Sequence, residues 1–154
     1  MKKTIVYIDG FNLYHSIEAL RKPWLKWLNL SELSKTLIRQ GDTLESVNLF
    51  TTLSTWNADK RGRHLNYIKA QEVYGVKVHH GKFYNIRKTC RKHQRSCPFH
   101  EEKYTDVAIA VSILADSYAN RFDRAILLTA DSDMVPVARH IRSTFPTKEL
   151  TLAS

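Results

Sequence analysis

The sequence predicts an α/β fold built on a mainly parallel sheet. Short apolar, β-branched runs alternate with longer stretches of helical spacing, the mark of βαβ units. The first run, Thr4 to Ile8, is apolar or β-branched throughout, as in a strand covered on both faces. No repeat, low-complexity tract or Gly/Ser linker divides the 154 residues, about one domain's length.

Each element has its own warrant. After Thr4–Ile8, Asp9-Gly10 turns the chain and Phe11 to Leu20 carries helical spacing. Pro23 breaks it, and a Trp24/Trp27 segment leads to Ser31, the expected N-cap of a helix reaching Arg39, before Gly41. Ser46 to Ser54 reads as the second strand and Asn57 to Tyr74 as a long basic helix ended by Gly75. Val76 to Tyr84 reads as a third strand interrupted at Gly81, and residues 87–103 as an irregular basic segment. Thr105 is expected to cap a helix to Asn120, with Val107, Ile109, Ala110, Val111, Ile113 and Leu114 as its apolar side. Ala125–Leu128, Met134–Ser143 and Leu150–Leu152 complete the pattern as strand, helix and fifth strand. No helix follows to cover that last strand, so the chain is expected to be a piece of a longer protein.

Lys plus Arg number 24 against 15 acids, a net charge of +9 and an excess that suits a polyanionic partner, nucleic acid first. There is no apolar run long enough to span a membrane, and the apolar stretch after Lys2-Lys3 stops at Asp9, too short for a secretory leader. With only Cys90 and Cys97 a disulfide scaffold is excluded, and a reducing cytoplasm is the expected compartment.

Chemistry is expected where acids follow strands. Asp9 follows the first strand, Asp131 and Asp133 follow the fourth, and Asp106 opens the helix between. In an open parallel sheet, ligands bind beyond the carboxyl ends of strands, where the strand order reverses. With the order 3-2-1-4-5, these four carboxylates share one crevice. Their mutual repulsion calls for protons or a hard cation, and oxygen-only ligation favours Mg²⁺ or Mn²⁺. Such a cation can activate water for phosphodiester hydrolysis. Asn12, three residues after Asp9, brings an amide able to hold a water or a phosphate oxygen.

Ile8-Asp9-Gly10-Phe11-Asn12, Glu102-Lys103-Tyr104-Thr105-Asp106-Val107 and Thr129-Ala130-Asp131-Ser132-Asp133, in this order over nearly the whole chain, resemble the NYN (LabA-like) family of PIN-like nucleases. The resemblance implies a Rossmann-like three-layer α/β/α sandwich, a single domain over residues 1–154, and Mg²⁺- or Mn²⁺-dependent ribonuclease chemistry. It also implies that Asp9, Asn12, Asp106, Asp131 and Asp133 occupy the active site. Tyr104 stands where the family often has Gly, and Ala130 where it often has Gly before the Asp-Ser-Asp motif; neither change removes a carboxylate.

Lys60, Arg61 and Arg63 on the long helix, and Arg91 and Lys92 in the irregular segment, are expected to track an RNA backbone. Lys103, beside the acids, is the expected contact to the scissile phosphate. Trp56, Tyr67, Tyr84 and Phe99 interleave with these cations and are of a kind that stacks on nucleobases, but core packing is the expectation for most of them, Tyr67 above all; Trp24 and Trp27 are expected over the sheet edge or first helix. Cys90, His93, Cys97 and His100 fall within eleven residues and are of zinc-ligand type, so a structural Zn²⁺ clip is a further expectation, with Cys90, Cys97 and His100 favoured over His93. His79-His80 are alternative ligands, and His15 and His140 have no constellation around them. The leading reading is an endoribonuclease; the alternative is a catalytically weak or inactive RNA-binding module of the same fold. A haloacid-dehalogenase-type phosphatase is disfavoured because Asp9 lacks the Asp-x-Asp-x-Thr pattern.

Overall fold

The computed structural model describes residues 1–89 and 96–153, with side chains described outside 85–102. Strand β1 (Lys3–Asp9) runs into helix α1 (Gly10–Ala19), a 3₁₀ turn (Pro23–Trp27), α2 (Leu30–Leu37), β2 (Thr43–Thr51), α3 (Ala58–Val73) and β3 (Val76–His80). There follow β4 (Lys82–Thr89), β5 (Ser96–Lys103), α4 (Thr105–Tyr118), β6 (Arg124–Leu128), a 3₁₀ turn (Ser132–Met134), α5 (Val135–Thr144) and β7 (Glu149–Ala153). The main sheet is parallel in the order β3-β2-β1-β6-β7, the predicted 3-2-1-4-5 when its own strands are counted.

Alternation along β1 explains the three layers. Ile5 and Tyr7 point to one face with Ile109, Ile113, Met134, Val137 and Ile141 of the α4–α5 side. Val6 and Ile8 point to the other, with Leu30, Leu33 and Leu37 of α2 and Tyr67 of α3. The strand therefore buries both faces, as its unbroken apolar run predicts. Tyr67 is core-facing as expected, and its hydroxyl donates to Leu28 O at 3.2 Å. Trp24 and Trp27 stay largely exposed in the 3₁₀ turn, Trp27 meeting Tyr67 edge-on.

Several expectations need correction. The cap of α2 is Asn29, whose Oδ1 accepts from Ser31 N (3.0 Å) and Glu32 N (3.2 Å), so Ser31 lies inside the first turn. The predicted third strand is two: β3 stays in the main sheet, while β4 leaves it at Gly81 and pairs antiparallel with β5. The segment read as irregular therefore contains a strand; a ribbon outside the sheet has no core to impose an alternating pattern. In α4 the inward stripe is Thr105, Ile109, Ile113 and Ser117, spaced by four, which turns Val107 and Val111 outward.

Two polar tethers join distant segments. Buried Gln71 of α3 accepts from Leu30 N (2.9 Å) and donates to Leu28 O (3.0 Å), satisfying the entry to α2. At the amino ends of the strands, buried Arg124 donates Nε to Glu149 (2.8 Å) and pairs with Asp42, while Lys2 pairs with Glu149. These partners pull the Glu149 carboxyl from its ordinary 4.5 down to about 2, Lys2 contributing most.

Candidate active site

Asp9 ends β1 and caps α1. Its side chain is only 2% exposed, so its charge must be met by donors within the protein. Oδ1 accepts from Phe11 N (3.1 Å) and Asn12 N (3.0 Å), the first donors of α1. Oδ2 accepts from Asn12 Nδ2 (2.5 Å) and Thr129 Oγ1 (3.0 Å). The same Thr129 hydroxyl accepts from Asp131 N at 3.1 Å, so one threonine links the carboxyl ends of β1 and β6. Asp131 Oδ1 in turn accepts from Asp133 N (2.8 Å) and caps the 3₁₀ turn.

Close packing brings α1 to this place. A Cβ on Gly10 would stand 2.7 Å from Phe50 O of β2, so only glycine lets α1 start there. Gly81 plays the matching part beneath α4, where a Cβ would lie 2.4 Å from Thr52 Oγ1 and 2.6 Å from Thr105 Oγ1.

The result is a cleft of about 300 Å³ in which Asp9, Asn12, Asp106 and Asp131 meet at the switch between β1 and β6. Asp106 lines it from the first turn of α4. Asp133 is exposed and does not line the cleft; the structure ties it to Asp131 through its backbone. Asn12, read as a holder of water or phosphate, spends its Nδ2 on Asp9. Phe11, His15, Tyr104 and Thr105 complete the lining, and His15 is a residue that the sequence reading did not assign to the site. Its ring meets Phe11 at 4.3 Å and Tyr14 at 5.6 Å, both edge-on. The spacing of Phe11, Asn12 and His15 along one helix face was a signal for it.

Tyr104, at the position where glycine was the expected residue, has φ 78, in the left-handed region. Its hydroxyl bonds that of Tyr84 at 2.8 Å with the rings edge-to-face, and this bond pushes the Tyr84 hydroxyl's pKa up.

Lys60, Arg61 and Arg63 are exposed in the first turns of α3, which leaves β2 on the cleft's side of the sheet; Lys60 Nζ lies over the Tyr14 ring. Lys103 is exposed, one residue before Tyr104. Arg91, Lys92, Cys90 and His93 lie outside the described residues, as do the side chains of Cys97 and His100 in β5, so the zinc expectation falls there. His79, an alternative ligand in that expectation, stacks on Phe50 at 4.5 Å and bonds Asn48 Oδ1 at 3.1 Å, and burial lowers its pKa.

The cleft's donors are carboxylate, amide and hydroxyl oxygens, which suit a hard divalent cation. Among the described residues no three carboxylate, imidazole or thiolate groups close around one point. That is compatible with Mg²⁺, commonly held by one or two carboxylates with water and substrate phosphate completing its shell.

A doubly wound parallel sheet with an acidic cleft at its switch point defines a Rossmann-like α/β domain. The chain belongs to the NYN domain family, which matches residues 3–152, and the members of that family are generally nucleases. A curated relative, the 6-hydroxy-3-succinoylpyridine 3-monooxygenase HspA of Pseudomonas putida, is 26% identical over 181 residues. That match covers 92% of this chain, which spans 56% of the relative's length. The crystal structure of a protein of unknown function from Vibrio parahaemolyticus has the same fold, with a TM-score of 0.64 at 17% identity over 98% of this chain and 80% of that one. No helix among the described residues is long and apolar enough to cross a membrane.

Proposed function

We propose that the protein is a Mg²⁺- or Mn²⁺-dependent endoribonuclease that hydrolyses RNA phosphodiester bonds in the Asp9–Asp106–Asp131 cleft. The observation that carries this is the lining of one cleft by Asp9, Asp106, Asp131 and Asn12 at the switch point of an NYN-family chain. Asp9, Asp106 and Asp131 are the groups that would hold the cation, which when bound supplies charge neutralisation and Lewis-acid activation. Asp9 is fixed by four hydrogen bonds, so it is a rigid anchor, and Asp106, lining the cleft from the first turn of α4, is the carboxylate that would take a proton from the attacking water. The oxygen of water would bond to phosphorus as the bond to the leaving ribose oxygen breaks, and that oxygen would take a proton from solvent while Asp106 returns its own, so one water is consumed per bond cleaved. Lys60, Arg61, Arg63 and Lys103 would anchor flanking phosphates against the repulsion of the acids.

The name of the curated relative describes oxygenation of a pyridine ring; the oxygen-donor character of this cleft favours the hydrolytic reading. A mixed RNA pool incubated with Mn²⁺ tests it. We expect cleavage by the unaltered protein, none by Asp131→Asn or Asp106→Asn, and RNA affinity equal or higher in the latter. Mn²⁺ should also raise the melting temperature of the unaltered protein by mass action, and less so that of Asp131→Asn. Binding without cleavage under any divalent cation would instead support the RNA-binding module.

A further inference from the structure

We propose that Tyr104, paired with Tyr84, is a specificity-determining residue: the nucleobase beside the scissile phosphate stacks on this pair, and the site thereby selects unpaired bases. The proposal rests on the nuclease reading of the acidic cleft and adds to it the recognition of the base.

Three observations carry it. First, Tyr104 holds φ 78 and ψ −17, a conformation that a bulky side chain rarely adopts, and strain of this kind persists where surrounding structure enforces it and clusters at ligand-binding sites. Second, the ring is not kept there by burial, since it is 55% exposed, and Tyr84 is 42% exposed. Core packing therefore does not account for the pair, whereas an aromatic face left to solvent at a site rim is what a base requires. Third, the pair divides two clefts. Tyr104 lines the acidic one, and Tyr84 lines a neighbouring cleft of about 480 Å³ with Leu53, Phe83 and Lys82. The partition is thin, for Gly81 on one side packs directly against Thr105 on the other. Trp56 meets Phe83 edge-on at 4.8 Å and adds to the aromatic surface of that neighbouring cleft's wall. Apolar walls with one cation match a base and its adjoining phosphate, while carboxylates on the far side match the site of hydrolysis.

The test separates this proposal from the chemistry. In an Asp131→Asn background, which does not cleave, binding is measured to one oligoribonucleotide and to versions of it made abasic at each position in turn. One abasic position should weaken binding about tenfold, the scale of a single stacked base. Tyr104→Gly should weaken the intact oligomer by a similar factor and abolish the distinction, while Tyr104→Phe, which keeps the ring, should preserve it. Tyr104→Gly suits a left-handed backbone, so its melting curve should stay close to that of the parent. Equal binding of intact and abasic oligomers, or a Tyr104→Gly variant that still discriminates them, would overturn the stacking role. Base-dependent binding in a parent protein that cleaves nothing would overturn the nuclease reading alone, and failure to bind any oligomer at low salt would overturn both.

Discussion

The Oδ1 atom of Asp9 holds the first turn of α1 while Oδ2 is steadied by Asn12 and Thr129, so this carboxylate is both a helix cap and a wall of the cleft. Thr129 is the residue that makes the arrangement continuous, because its hydroxyl donates to Asp9 and accepts from the Asp131 backbone. Thr129→Val keeps the shape and removes both bonds. Urea denaturation should show a loss of about 2 kcal/mol, the worth of a hydrogen bond to a buried charge. Cleavage should fall roughly tenfold, as when a supporting partner of a ligand carboxylate is removed. Unchanged kcat with lowered stability would make Thr129 purely structural. The acids themselves were legible as residues, because local motifs follow strands; the Thr129 bond to Asp9 was not, since the two lie 120 residues apart, and neither was the left-handed φ of Tyr104, a conformation its residue type rarely adopts.

Between elements, the close approach of α1 to β2 and the charge on α3 set separate requirements. Gly10→Ala puts a Cβ into Phe50 O, so α1 must shift; we expect a loss of about 2 kcal/mol by overpacking, checked by thermal and urea unfolding. On α3, Arg61→Glu with Arg63→Glu should weaken RNA binding and flatten its dependence on salt, while leaving the melting temperature within a degree or two. A double variant that binds like the parent across a salt series would show a merely solvated face. Apolar periodicity made β1 readable, and the spacing of caps and glycines did the same for α3. Periodicity misled in α4, where valines at 107 and 111 face outward and the inward stripe begins and ends in Thr105 and Ser117. Gln71 was unreadable for a related reason: a polar residue goes inside when two main-chain groups some forty residues away need it.

Across the whole molecule the sheet has two unlike ends. The carboxyl ends of the strands gather Asp9, Asp106 and Asp131 in one cleft, and the amino ends are clasped by Arg124, Asp42, Glu149 and Lys2. Because the Glu149 pKa is depressed in the folded protein, its contribution is complete above the ordinary value of 4.5 and is lost as pH falls toward about 2. Acid titration of stability should therefore show a component in that interval, and Glu149→Gln should remove it and leave a shallower curve. Arg124→Met leaves Asp42 half-buried without its main partner, and a loss of about 3 kcal/mol is expected at neutral pH. Nothing in the composition singled out Arg124, since among the described residues the one buried Lys or Arg looks like any other in sequence.

The central position of β1 has a consequence during synthesis. Ile5 pairs with Ala125, so β1 acquires its second neighbour only after about 120 further residues have been translated. At roughly 5–20 residues per second this leaves an apolar strand with one open edge for many seconds on the ribosome. A nascent chain in that state is a template for pairing with another like it. Lys2 and Lys3, directly ahead of the apolar run, put charge beside that edge while it waits, and once β6 and β7 arrive Lys2 turns to Glu149. The same lysine thus guards the unfinished sheet and then fastens the finished one.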